Sequence, residues 1–275
     1  MYTASLSSQS GSETSRAIKI GSLESTATDC SFGTGVWNVG YRGEYSTFAG
    51  AFNSSATLNK YGEGTLSLTG ASAANINVNE GVLEVENTSK ETTTGLITVN
   101  DGGMLSGRGT TASVLVKKGG TLATGKSAVM TSSITISNSL TVNDGGYVRV
   151  RARGTSSVDA YKVAGNVKLT NPIFKMERLS GDWEADSELK VFTGNGKITV
   201  TGTPRFEPSV PMAGYMWDTS ALESEGIIRV VADPVGIRGV LADEQEGISY
   251  DLSGRRITTD HGRAVRIING KKVFK

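Results

Sequence analysis

The chain has 275 residues, and its 28 lysines and arginines nearly balance 27 aspartates and glutamates, leaving a formal charge of +1. So weak a field excludes recruitment of nucleic acid or acidic lipid by overall charge. One cysteine, Cys30, excludes an internal disulfide and any multi-cysteine zinc or iron–sulfur centre, so packing and backbone hydrogen bonds must hold the fold.

The opening stretch, "MYTASLSSQSGSETS", lacks the charged and apolar regions of a signal peptide. No apolar run approaches the ~20 residues of a membrane helix. An exported form is therefore expected to begin inside a longer precursor. Residues 1–55 read as lead-in β rungs and include "VWNVGYRGEYSTFAGAF" from Val36 to Phe52.

Residues 56–189 hold short alternating pairs: Leu66/Leu68, Ile76/Val78, Leu83/Val85, Ile97/Val99, Val114/Val116, Ile134/Ile136, Leu140/Val142 and Val148/Val150. A spacing of two puts each pair on one face of a strand. Glycine is about 13% of the chain against an average of ~7%, and with Asn, Asp, Ser and Thr it fills the gaps, which predicts tight turns. The turns are related. "VNEGVLEV", "VNDGGMLSG", "VKKGGTLAT" and "VNDGGYVRV" each end a strand, turn through glycine and resume on an apolar residue. That alignment superposes Leu83, Leu105, Leu122 and Val148 at irregular steps near twenty residues, which predicts a solenoid whose rungs share a corner. The expected fold is all-β, a right-handed parallel β-helix; the alternative is an antiparallel β-sandwich, which would not be expected to repeat its corner sequence.

Residues 190–231 change texture and are expected to form terminal capping rungs, with Phe192, Phe206 and Trp217 covering the open end of the stack. Residues 232–247 read as a linker. Residues 248–275 hold two strand-like runs, the second folded at Asn269-Gly270, a strong hairpin signal.

Three segments carry a resemblance: "ATLNKYGEGTLSLTGASAANINVNEGVLEVEN" (Ala56–Asn87), "GLITVNDGGMLSGRGTTASVLVKKGGTLATGKS" (Gly95–Ser127) and "WDTSALESEGIIRVV" (Trp217–Val231). In order along the chain they resemble the autotransporter-associated β-strand repeats of bacterial surface and secreted proteins. That resemblance implies a β-helical passenger stalk. The tail "YDLSGRRITTDHGRAVRIINGKKVFK" resembles C-terminal sorting segments of secreted Bacteroidetes proteins, although "GRAVRII" departs from their usual form. It implies secretion or surface display, with the secretion machinery as a partner.

"VNDGG" lacks the closing glutamate and ligand spacing of a calcium loop, and Lys117 and Lys118 align between Asp101 and Asp144, so the corner reads as a turn and no metal is expected. "TGNGK" at Thr193–Lys197 precedes a strand and lacks the phosphate-loop pattern. The only histidine, His261, lies in the tail, and Cys30 has no histidine near it in sequence, so no nucleophile triad and no cofactor is expected. "GDWEADSELK", if extended, lines up Asp182, Glu184, Asp186 and Glu188 on one face, most simply a solvated one. "YVRVRARG" points Val148, Val150 and Ala152 inward and Arg149, Arg151 and Arg153 outward, about 6.6–7 Å apart. Three such guanidiniums could grip carboxylates or sulfates of an acidic polysaccharide; solubilising decoration is the plainer account.

The function these features imply is a non-catalytic extracellular stalk spacing or displaying an upstream domain. The alternatives are the C-terminal part of a pectate-type polysaccharide lyase and a glycan-binding adhesin.

Overall fold

In the computed structural model the alternating pairs are the strands of a parallel β-helix, with a twelve-stranded and a nine-stranded sheet stacked rung by rung. The structure describes residues 18–87, 91–125, 130–154 and 157–234, and the backbone of four short strands further on. The corner alignment read from sequence is the register of the nine-stranded sheet: Leu83 pairs with Leu105, Leu105 with Leu122 and Leu122 with Val148, and all four are fully buried. In the twelve-stranded sheet Leu58, Ile76 and Ile97 stack the same way, and Ile97 continues through Val114, Leu140 and Val167 to Ile198. Each rung supplies only a few aliphatic side chains, so the core exists because rungs stack.

Outside the core the rungs are tied by side chains. Asn38, Asn59 and Asn77 are register neighbours; Asn59 Nδ2 donates to Asn38 Oδ1 and Asn77 Nδ2 to Asn59 Oδ1, both at 2.8 Å. Asn100 and Asn79 repeat this link at 2.8 Å beside the shared corner.

The corner is a turn. Gly103 N–H donates to Asn100 O, Gly120 N–H to Lys117 O and Gly146 N–H to Asn143 O, at 2.9–3.0 Å. Gly119 shows why glycine recurs there: its φ is +77°, and an added Cβ would sit 1.9 Å from the Asp101 carboxylate oxygen of the preceding corner. Asp101 thus packs over the next turn's backbone.

An earlier corner is stapled by a buried lysine. Lys60 is 1% exposed, and its ammonium donates to the carbonyls of Tyr61, Gly62 and Glu80 at 2.8, 2.7 and 3.1 Å. Burial pushes its pKa down to about 8, and the Glu80 carboxylate partly offsets this. Because the folded value lies below the unfolded one, the unfolded chain holds more protons between about pH 8 and 10.5, and stability rises across that window. Chemical denaturation at pH 8.0 and 9.5 should therefore show the native protein gaining on the order of 1 kcal/mol relative to Lys60→Met. Parallel pH curves for the two proteins would refute the assignment.

At the far end the expected aromatic lid is present. Phe206 stacks on Phe174 at 5.4 Å and on Trp217 at 5.5 Å, while Phe192 packs beneath against Tyr161 and Phe174. Trp183, which sequence reasoning did not single out, meets Trp217 edge-on at 5.1 Å. A three-stranded sheet of Glu188–Lys190, Ile227–Ala232 and Tyr215–Asp218 supplies Trp217, while Phe206 and Phe192 come from the last strands of the nine- and twelve-stranded sheets. The short helix Leu222–Glu225 buries Leu222 and ends at Gly226 with a left-handed φ of 72°.

The carboxylate strand expected at Asp182–Glu188 is not formed. Only Glu188 begins a strand; Asp186 sits in a turn at φ +62°, and Trp183 is drawn inward. Burying the indole bends the segment, so the acids point to different partners: Asp182 to Arg178 and Glu188 to Arg229 at 2.8 Å.

The chain divides into two units, Met1–Val231 and Ala232–Lys275. In the second, Val265–Ile268 pairs antiparallel with Lys271–Phe274, as the Asn-Gly signal predicts, and Ser249–Tyr250 and Arg256–Ile257 complete a four-stranded sheet. Asn269, Gly270 and His261 lie outside the described residues. No helix among the described residues is long and apolar enough to cross a membrane.

Candidate functional site: a trough on the nine-stranded sheet

The strand Tyr147–Arg153 alternates as expected, with Val148, Val150 and Ala152 buried in the core. The three arginines on its other face meet three environments. Arg153 is exposed, Arg149 half-buried and Arg151 only 4% exposed. The expectation of a solvent-facing row therefore fails at Arg151, for a local reason. After Arg153 the chain folds back, pairing Ser157–Val158 antiparallel with the strand, and this return brings Asp159 against Arg151.

Asp159 is fully buried. It accepts Arg151 Nε at 2.7 Å and Nη2 at 3.1 Å, the Arg151 backbone N–H at 3.2 Å and that of Ser132 at 2.9 Å. Arg151 Nη2 also donates to Thr124 O at 2.9 Å. This bidentate pair joins three segments, and its donors are engaged by the protein. A sequence signal for it existed: Asp159 shares parity with Tyr161 and Val163, both inward, and an acid on an apolar stripe needs a partner. Tyr161 crosses the core, its hydroxyl pointing between the carbonyls of Arg149 and Leu122. Burial pushes its pKa well up, so the neutral phenol is the form the fold holds.

Arg149 and Arg151 border a trough of about 410 Å³ on the outer face of the nine-stranded sheet. Val82, Met104 and Leu179 give it apolar patches; Glu84, Ser106 and Glu177 give it polar ones. The recess is deep enough that Glu84 is 5% and Ser106 3% exposed, although both face away from the core. Its charges alternate along the stack, with Glu84 at one end, the arginines beyond it, and Glu177, paired with Lys175 at 3.9 Å, next to them. A recess of about 570 Å³ near the lid is rimmed by Lys190, Lys197, Glu223 and Glu225, all exposed, so its charges stay solvated.

Among the described residues no three His, Cys, Asp or Glu side chains gather as metal ligands would. Cys30 is half-buried, its thiol donating to Ala27 O at 3.1 Å.

Fold and trough together define a class, an all-β parallel solenoid with a side-chain-lined furrow across its rungs. A scan against protein-family models finds no match for the chain, and a search of curated proteins finds none either.

Proposed function

We propose that the first unit is a non-catalytic extracellular stalk of the passenger kind built from autotransporter-associated β-strand repeats. It spaces or displays an upstream domain of a larger secreted or surface protein, and the C-terminal strands serve as its sorting or anchoring segment. The observation that supports this reading is the unbroken register from Leu58 to Ile198, closed at its far end by stacked aromatics. Such a stack is a rod whose length is set by rung number.

Spin labels at Tyr45 and Val210, both exposed, placed in a Cys30→Ser background, test it. A spacer gives one narrow distance, about 30–40 Å for seven strand spacings of ~4.8 Å, unchanged when a folded reporter is fused ahead of Met1. A broad or shifting distribution removes the spacer reading. Release of unsaturated products from polygalacturonate by the chain would replace it with the lyase reading.

A further inference from the structure

We infer that the trough on the nine-stranded sheet binds a linear glycan in which a hexuronate is flanked by neutral sugars, with the uronate carboxylate against Arg149. This holds whatever domain the stalk carries.

The length of the trough selects a chain-like ligand. Its lining runs from Thr65 to Leu179, from strand Thr65–Leu68 to strand Ile173–Ser180, which are five strand spacings or about 24 Å apart. A compact molecule would not reach both ends. Peptide capture by strand addition is not open to it, because every strand flooring the trough is already paired on both sides. Recognition falls to side chains.

Those side chains specify where charge belongs on the ligand. Glu177, held by Lys175 only at 3.9 Å, accepts hydrogen bonds and repels anions, so hydroxyls suit it and carboxylates do not. Arg151 is satisfied by Asp159 and Thr124. Arg149 is the less committed guanidinium: it touches the protein through Nη2 to Thr124 O at 3.4 Å, and its buried Nε has no partner among the described residues. A half-buried cation with so few acceptors gains most from an anion at its terminal nitrogens. One acid between neutral neighbours matches that order, whereas a uniform polyuronate also sets a carboxylate against Glu177.

Calorimetric titration of the full chain with three hexasaccharides tests this. A hyaluronan hexasaccharide, which alternates uronate with N-acetylglucosamine, should bind at least tenfold more tightly than hexagalacturonate or cellohexaose. Arg149→Ala should weaken it about tenfold or more, the loss expected for one charge-assisted hydrogen bond. Arg149→Lys, which keeps the charge and the packing stem but not the fork, should weaken it too, and Arg153→Ala, outside the trough, should leave it unchanged. No binding of the hyaluronan hexasaccharide at millimolar concentration, a preference for hexagalacturonate, or an equal loss in Arg153→Ala would overturn the inference. None of these outcomes bears on the distance between spin labels, so the two proposals fail separately.

Discussion

Asp159→Ala should destabilise the first unit by about 3–5 kcal/mol, because it takes from the buried Arg151 guanidinium the carboxylate that grips it through both Nε and Nη2. The carboxylate answers four N–H donors from two segments, so its loss also leaves the backbone amides of Arg151 and Ser132 without their acceptor. Urea unfolding of the two proteins measures the difference. Arg151→Met together with Asp159→Leu should recover only the part owed to the ion pair, since a buried pair and a well-filled apolar pair differ little in net stability while the backbone amides of residues 132 and 151 stay without their acceptor. A single Asp159→Ala effect below about 1 kcal/mol would show that the pair is hydrated instead of sealed.

Trp217→Ala should cost about 3–5 kcal/mol, the usual range for removing a large buried aromatic. Trp217 is 5% exposed; it stacks on Phe206, meets Trp183 edge-on, and donates its indole N–H to Pro208 O at 3.0 Å. Its removal opens a path to Phe206, Phe174 and Phe192 at the end of the stack. Exposed apolar rungs recruit other copies, so light scattering on warming should rise at a lower temperature than in the native protein. Unchanged scattering with a lowered melting midpoint would mean that the lid stabilises the rod without shielding it.

Much of the fold was legible because its cause is periodic. Leu83, Leu105, Leu122 and Val148 align by eye, and they pair in space because a rung can bury its aliphatics only on a copy of itself. The lid was legible from Phe192, Phe206 and Trp217, large rings in a chain of small side chains. Trp183 was missed for want of an alternating neighbour, and the same ring bends the acidic segment that spacing alone had made a strand. The arginine row was half legible. Parity placed Arg149, Arg151 and Arg153 on one face, but parity says nothing of what covers a face, and the covering residues, Asp159 and Thr124, lie 8 and 27 positions from Arg151.

The amide ladder and the shared corners make successive rungs near-equivalent as partners, whereas the aromatic lid touches only the last few. A gene segment encoding one lap can therefore be duplicated or lost by unequal recombination without a new interface having to arise. The reach of such a rod is a quantity that a lineage can tune in increments of a single strand spacing.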